Sequence, residues 1–169
     1  QGAKLFDTII KTSIVNLSKK YKVKVYQQTN KKNFDNLKNF YKKYNIVNEL
    51  FDFDEEISNF MNKSHLSITR AGASTLAELV FLNIPHIAIP LPTAKDNHQF
   101  ENASFYNQLG FNWILDQELM NEKILTSKLI NIIDNKEVLL DKKRYMKNFS
   151  FQNTWNNINQ EIISIIDEN

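Results

Sequence analysis

The residues best suited to chemistry lie in one stretch, residues 65–103, which reads HLSITRAGASTLAELVFLNIPHIAIPLPTAKDNHQFENA. Within it, Gly72 is followed by the small residues Ala73, Ser74 and Thr75 and then by an apolar run with helical spacing. A strand, a tight turn and a helix start, in this order, direct backbone N–H groups and the positive helix end at an anion. The stretch therefore predicts a site for a phosphate-bearing ligand.

Thr75 and Glu78 form the pattern T-x-x-E, which permits two interpretations. In the structural one they form a capping box, with the hydroxyl accepting from a backbone N–H and the carboxylate reaching back to the cap. In the functional one, Thr75 holds a phosphate and Glu78 accepts hydrogen bonds from a ribose diol, because a carboxylate offers two acceptor oxygens. Both interpretations use the same helix start, and both remain open.

Further polar candidates lie at neighbouring turns of the predicted fold. Arg70 precedes the glycine at a strand end, where it either offsets phosphate charge or is an ordinary arginine of a sheet edge. The next strand is followed by a cluster of donors and acceptors, which suits sugar hydroxyls but is also ordinary loop chemistry. The cluster comprises Asp96, Asn97, His98, Gln99 and Asn102.

Aromatic and histidine side chains give weaker signals. Phe51, Phe53 and Asp54 close an earlier strand, where an aromatic ring either meets a flat base or belongs to the core. His65 and His86 are too far apart in the pattern to suggest shared ligation, and there is no cysteine to bind a metal. We expect neither a metal site nor a cofactor.

Hydrophobic periodicity predicts the elements that position these groups. Strands are expected at residues 22–27, 46–51, 66–68, 85–90 and 111–115. Helices are expected at residues 4–21, 33–44, 54–62, 73–82, 99–109, 122–134, 136–149 and 153–166. Asp54 is a plausible N-cap, and Gly110 is expected to end the helix at 99–109. The alternation predicts an α/β fold with a Rossmann-like, doubly wound, mostly parallel sheet, whose carboxyl edge binds ligands.

Composition narrows the class of protein. A chain of 169 residues fits one domain with a sizeable core. Lys plus Arg number 21 and Asp plus Glu 19, so the net charge is +2, which implies no strongly basic face and no nucleic-acid partner. Neither a membrane span nor a signal peptide is visible, which predicts a soluble, cytoplasmic chain. Because the chain begins at Gln1 rather than Met, we expect a fragment of a longer protein.

Two motifs together resemble a known family. ITRAGASTLAEL, followed by IPHIAIPLPTAKDNHQFENA, is similar to the C-terminal, donor-binding domain of the peptidoglycan N-acetylglucosaminyltransferase (MurG) family. The resemblance implies the C-terminal half of a GT-B glycosyltransferase, with residues 1–169 as one donor-binding domain. The implied reaction moves N-acetylglucosamine from UDP-N-acetylglucosamine to the undecaprenyl-linked acceptor lipid I and gives lipid II, for cell-wall synthesis, cell shape and cell division. The implied enzyme is peripheral on the cytoplasmic face of the inner membrane.

The resemblance also implies residue roles. Ala73, Ser74 and Thr75, with Leu76 and Ala77 behind them, would line the diphosphate, and Glu78 would hold the uridine ribose. His98 and Gln99 would approach the sugar or the diphosphate, near the charge of Arg70. Phe53 and Asp54 would meet the uracil, and Gln1 would end the family's GGSQGA loop. No catalytic residue is expected in this chain, because the general base belongs to the family's N-terminal acceptor domain; the isolated chain should bind donor without transfer.

Departures from the family leave alternatives open. Relatives often have H-Q-x-G after the first of these strands, where this chain has Gln27–Gln28–Thr29–Asn30. Position 98 is glutamine in some relatives and histidine here. One alternative is the donor domain of another UDP-sugar transferase, such as a glycolipid synthase or a split dolichol-linked enzyme. The other is a non-catalytic nucleotide-binding module.

Overall fold

A computed structural model of the chain describes residues 6–52 and 57–152. Helices and strands alternate along it, as the periodicity predicts. A π-helical turn at Phe6–Ile10 opens the described chain, and two 3-10 helices lie at Lys31–Asn33 and Lys95–Asn97. The other elements are α1 (Lys11–Ser18), β1 (Lys24–Gln28), α2 (Phe34–Lys43), β2 (Val47–Phe51), α3 (Ile57–Asn62), β3 (Ser67–Thr69), α4 (Ala73–Phe81), β4 (His86–Ala88), α5 (His98–Gln108), β5 (Asn112–Ile114), α6 (Glu122–Asp134) and α7 (Lys136–Gln152).

Every strand pair among the described residues is parallel, which confirms the α/β class. The hydrogen-bonded ladders, however, form two sheets rather than the single sheet expected. One sheet pairs β1 with β2, so that Lys24 lies opposite Val47. The other has the order β3–β4–β5, with Ser67 and Asn112 on either side of His86. A helix connects each pair of consecutive strands within a sheet, which gives three βαβ units.

The chain divides into two compact units. Unit 1 comprises residues 1–64 and 115–136, and unit 2 comprises residues 65–114 and 137–169. Each unit contains one of the two sheets. The expected donor-binding domain over residues 1–169 stays a prediction.

In unit 1, helices α1 and α6 pack against each other and bury aliphatic side chains. The Ser13 hydroxyl, also buried, donates to the Ile9 carbonyl at 2.9 Å and lies 3.2 Å from the Glu122 carbonyl. Asn121 caps α6, because its side-chain oxygen accepts from two backbone N–H groups of the first turn, each at 3.0 Å. The helix predicted at residues 122–134 is confirmed at both ends, since α6 runs from Glu122 to Asp134.

In unit 2, β4 is buried along its whole length and forms the centre of the core. Leu76 of α4 packs with Ala71, Ala88 and Ala103 in one buried cluster. The predicted helix end at Gly110 is confirmed, since this residue has φ +81° and follows α5 directly after Leu109. A left-handed φ of this kind favours glycine over residues with a Cβ.

Unit 2 also buries polar side chains at the start of β4 and β5. His86 is fully buried, its Nδ1 lies 3.0 Å from the Ile84 carbonyl, and burial lowers its pKa to about 4. Lys142 donates to the carbonyls of Gly110 at 2.8 Å and Asn112 at 2.9 Å. These lysine hydrogen bonds join α7 to the turn between α5 and β5.

Several predicted boundaries are wrong by a few residues. The strand expected at residues 85–90 is reduced to His86–Ala88, because Pro85 and Pro90 lack the N–H that a ladder needs. The helix expected at 4–21 is a π-helical turn followed by the shorter α1. The helix expected at 153–166 and the N-cap expected at Asp54 lie outside the described residues. Among those that are described, no helix is long and apolar enough to cross a membrane.

Candidate anion-binding site

The two turns predicted to hold the site lie at the carboxyl edge of the unit 2 sheet. The turn after β3 contains Arg70, Ala71 and Gly72 and leads into α4, and the turn after β4 leads into α5. Because β3 and β4 are parallel neighbours, both turns open at the same edge of the sheet. The sequence prediction that these two segments come together at one edge is confirmed.

The start of α4 is uncapped. Gly72 is the N-cap, with φ −69° and ψ 136°, and it has no side chain to accept from the helix amides. The first helical hydrogen bond runs from the Leu76 N–H to the Gly72 carbonyl at 3.0 Å. The N–H groups of Ala73, Ser74 and Thr75 precede that bond, so they have no acceptor within the helix. They are available to an anion.

The space beside Gly72 is open. Its φ is one that any residue adopts, so backbone conformation does not require glycine here. A Cβ built on Gly72 would meet no heavy atom of the protein within 4 Å, so packing does not require glycine either. The absence of a side chain at this position instead leaves the helix amides accessible from the sheet edge.

The capping-box interpretation of Thr75 and Glu78 is wrong. Thr75 is the third residue of α4 rather than its N-cap, and no side chain caps this helix. Glu78 is exposed and Thr75 is half-buried, and their spacing of three residues places them on one face of the helix. Neither side chain is needed to close the helix start, so both can face a ligand.

The other predicted residues of α4 divide between surface and core. Ala73, Ser74 and Ala77 are exposed. Leu76 is fully buried, and its N–H already donates to Gly72. Leu76 therefore anchors the helix start to the core rather than facing the turn.

Arg70 joins the ends of β3 and β4. Its Nη1 donates to the carbonyls of Ile89 at 3.0 Å and Pro90 at 3.5 Å. Burial lowers the pKa of Arg70 from its ordinary value, but an arginine remains protonated at neutral pH. Arg70 thus combines the sheet-edge role with a positive charge at the edge where the α4 amides open.

The turn before α5 has two consecutive left-handed residues. Asp96 has φ 52° and Asn97 has φ 54°, and aspartate and asparagine are among the residues that adopt this region most readily after glycine. The Nδ1 of His98 lies 2.6 Å from the Lys95 carbonyl, and a carbonyl only accepts. In the neutral ring, Nδ1 therefore carries the proton, and the exposed side chain presents Nε2 as an acceptor.

Two amide side chains hold this edge together. The Gln99 Oε1 accepts from the Leu91 N–H at 3.0 Å, which fixes the course of the turn after β4. The Asn102 Nδ2 donates to the Ala71 carbonyl at 3.1 Å, so α5 is tied to the turn before α4. The sequence places Asn102 among the candidates for sugar hydroxyls, whereas the structure gives it a positioning role through a hydrogen bond that spans 31 residues and that no local pattern indicates.

Three predicted residues lie outside the described residues, namely Gln1, Phe53 and Asp54. Phe51, which precedes them, stacks on Phe60 within unit 1, with ring centroids 4.3 Å apart and planes at 3°. Phe51 is half-buried and contacts another ring of its own unit, which favours a packing role, and a contact with a flat base stays a prediction. Within residues 6–52 and 57–152, no group of three or more histidine and carboxylate side chains is placed to hold a metal ion.

Comparisons with known proteins identify the family of this chain. Residues 1–158 match the model of the glycosyltransferase family 28 C-terminal domain. A Pelagibacter ubique (strain HTCC1062) protein is 62% identical over 169 residues, which are 100% of this chain and 48% of that protein. Its name is UDP-N-acetylglucosamine--N-acetylmuramyl-(pentapeptide) pyrophosphoryl-undecaprenol N-acetylglucosamine transferase. A Rickettsia typhi protein with the same name is 36% identical over 151 residues, covering 88% of this chain and 39% of its own length.

Among solved structures, Acinetobacter baumannii MurG superposes with a TM-score of 0.75 at 23% identity. The match covers 86% of this chain and 42% of that protein, and at this identity it supports the fold alone. The chain spans about half the length of the curated relatives it matches, since it covers 48% and 39% of the two proteins above.

Proposed function

The chain belongs to the glycosyltransferase family 28 C-terminal domain family, and we propose that it is the donor-binding part of an N-acetylglucosaminyltransferase. The proposed donor is UDP-N-acetylglucosamine and the proposed acceptor is lipid I, in agreement with the names of the relatives. The product would be lipid II, a peptidoglycan precursor. The proposed location is the cytoplasmic face of the inner membrane.

The uncapped start of α4 is the observation that carries this proposal. No side chain caps the three consecutive N–H groups from Ala73 to Thr75, and the space beside Gly72 is open. Amides at the positive end of a helix bind the diphosphate of a nucleotide sugar without a metal ion. The Thr75 hydroxyl adds one donor, and Arg70 adds positive charge at the same sheet edge.

The remaining parts of the donor are assigned by position. Glu78 lies one turn along the exposed face of α4, where its two oxygens suit the uridine ribose diol. His98 and Gln99 begin α5 at the same edge and suit the sugar or the diphosphate. For Phe53 and Asp54 at the uracil, and for Gln1 as a substrate-binding residue at the end of the GGSQGA loop, the family resemblance is the support.

The proposed reaction is an inverting transfer. An acceptor hydroxyl attacks the anomeric carbon from the face opposite the diphosphate, the bond to the diphosphate oxygen breaks, and UDP leaves. The α4 amides stabilise the negative charge that develops on the departing diphosphate. We assign the general base and acceptor binding to the half of the relatives' length that this chain does not cover.

Calorimetric titration tests the donor assignment. UDP and UDP-N-acetylglucosamine should bind to the chain, whereas UMP should bind much more weakly because it lacks the second phosphate. Equal affinities for UMP and UDP would contradict a diphosphate cradle at α4. In a parallel assay with lipid I, the chain should give no lipid II; measured transfer would contradict the assignment of acceptor binding to residues outside it.

A further inference from the structure

The lysines of this chain are distributed unevenly. Residues 19–43 contain nine lysines, one aspartate and no arginine, which gives a net charge of +8. The remaining residues carry −6, because the whole chain carries +2. The near-neutral total therefore conceals a strongly basic segment, so net charge alone does not support the expectation that there is no strongly basic face.

Strand topology gathers six of these lysines at one edge of the unit 1 sheet. The segment from α1 enters β1 at Lys24, and the segment from α2 enters β2 at Val47. Because β1 and β2 are parallel and Lys24 lies opposite Val47, both connections lie at the amino-terminal edge of the sheet. We call this the basic edge; its lysines are Lys19, Lys20, Lys22, Lys24, Lys42 and Lys43, and all six are exposed.

Carboxylates neutralise the basic edge only in part. Glu49 pairs with Lys24 at 2.5 Å, and Asp134 pairs with Lys20 at 2.8 Å. Among the described residues, Lys22, Lys42 and Lys43 form no ion pair, so their charge faces solvent. In the part of the chain that the structure describes, two carboxylates pair with the six lysines of this edge, which leaves a net positive charge.

One amphipathic side chain, Tyr44, and one apolar side chain, Val47, lie among these lysines. Tyr44 is 41% exposed and Val47 is 55% exposed, at the end of α2 and the start of β2. The Lys43 Nζ lies 5.7 Å from the centre of the Tyr44 ring. Tyrosine beside lysine is the combination found where proteins meet the headgroup region of a bilayer.

We propose that the basic edge binds the surface of a bilayer that contains anionic phospholipids. Lysine is a point charge that suits diffuse attraction to headgroups, whereas the planar fork of arginine, absent from residues 19–43, suits nucleic-acid phosphates and bases. The inference rests on the proposed function in one respect, since a lipid-linked acceptor requires the enzyme to work at a membrane. It assigns a membrane contact to the donor-binding part itself.

Vesicle co-sedimentation of the chain tests this proposal. The chain should sediment with phosphatidylcholine vesicles that contain about 30% phosphatidylglycerol, but not with pure phosphatidylcholine. Neutralising one lysine near an anionic surface weakens binding about fivefold, so Lys42→Gln/Lys43→Gln should lose about 25-fold. The matched control Lys31→Gln/Lys32→Gln removes the same charge at the carboxyl end of β1, away from the basic edge, and should lose less than about fivefold.

Several results would overturn the proposal. They are equal binding to both kinds of vesicle, an equal loss in the control, and tighter binding to a single-stranded RNA oligonucleotide than to anionic vesicles. UDP titration of the same protein separates the two proposals. A chain that binds UDP but no vesicles refutes only the bilayer contact, and one that binds vesicles but no nucleotide refutes only the donor site.

Discussion

The first βαβ units of the two sheets have the same topology but differ at the turn after the first strand. In β1–α2–β2 that turn has Asn30, whose side-chain oxygen accepts from the Lys32 N–H at 3.0 Å. In β3–α4–β4 the corresponding turn ends at Gly72, which offers no such acceptor. The first unit satisfies one turn amide, the Lys32 N–H, with its own side chain, whereas the second has no side chain that caps its helix and leaves those amides for a ligand.

The sheets also differ in burial. In unit 1, the two ends of β1 and two residues of β2 are exposed, whereas in unit 2 the central strand β4 is buried throughout. A buried strand with short connections gives a rigid base for the turns at its end, which a binding site needs. The exposed sheet instead carries charge at its surface. Similar βαβ units thus differ in use: the buried one supports a binding site, and the exposed one carries surface charge. The differences lie in the helix cap and in the burial of the strands.

The largest predicted difference between the units is in their response to acid. The folded-state pKa of His86 is lowered to about 4 from 6.5 by burial, so the unfolded chain takes up the proton first as pH falls. The stability that the neutral His86 contributes is full above pH 6.5 and is lost as pH falls towards 4, by about 3 kcal/mol in total. Urea denaturation should show that the free energy of unfolding falls between pH 6.5 and 4 in wild type. The same measurement on His86→Gln should not show this fall.

The ion-paired carboxylates of unit 1 should affect stability at a lower pH than His86 does. Their lysine partners lower the pKa values of Glu49 and Asp134 from 4.5 and 3.8, so the stability that these carboxylates contribute is lost only below those values.

His65→Gln is the matched control for His86, because His65 is an exposed histidine of unit 2. This variant should keep the fall in the free energy of unfolding between pH 6.5 and 4. A wild-type curve that is flat in that range would contradict the burial of a neutral His86.

The next prediction separates ligand binding from helix capping. Glu78→Gln should reduce UDP affinity by about 1.5–3 kcal/mol, because the ribose loses a charged acceptor. The free energy of unfolding should change by less than about 0.5 kcal/mol, since Glu78 is exposed and caps nothing. Glu122→Gln, on the first turn of the capped helix α6, is the control and should leave UDP affinity unchanged. Unchanged UDP affinity in Glu78→Gln would contradict the assignment of Glu78 to the uridine ribose.

Local sequence patterns predicted the helices and strands better than they predicted the contacts between residues distant in sequence. The α/β alternation, the helix Glu122–Asp134 and the glycine that ends α5 follow from periodicity and capping residues, which act over a few positions. The pattern T-x-x-E misled because a threonine at the third helical position and one at the N-cap look alike in sequence. Gly72, three residues earlier, was the better signal for the helix start.

The supporting contacts of the site were outside the reach of pattern analysis. Arg70 donates to a carbonyl 19 residues away, and Asn102 donates to one 31 residues away. Such contacts depend on how strands and helices pack, and no spacing in the sequence records them. Net charge did not predict the basic edge, because a single total averages over basic and acidic segments that the fold keeps separate.

The smallest predicted effect concerns a single hydroxyl. Thr75→Val keeps the shape of the side chain and removes one donor to the diphosphate, so UDP affinity should fall by about 1.5 kcal/mol. Because the α4 amides supply the other donors, wild-type affinity should be the same with EDTA present. Strict dependence on magnesium in the calorimeter would contradict the amide cradle, and an unaffected Thr75→Val would remove the hydroxyl from the site.

The central claim is that the uncapped start of α4 binds the diphosphate, and Gly72→Asn tests it most directly. Because the open space beside Gly72 and its extended ψ accommodate an asparagine cap, this change gives the turn the kind of cap that Asn30 provides in unit 1. Asparagine caps a helix slightly better than glycine, so stability should stay equal or rise by a few tenths of a kcal/mol. Calorimetry should then show UDP affinity reduced by about 1.5–3 kcal/mol, as the new side chain occupies amides that the diphosphate needs. Undiminished UDP affinity in a folded Gly72→Asn variant would contradict the account.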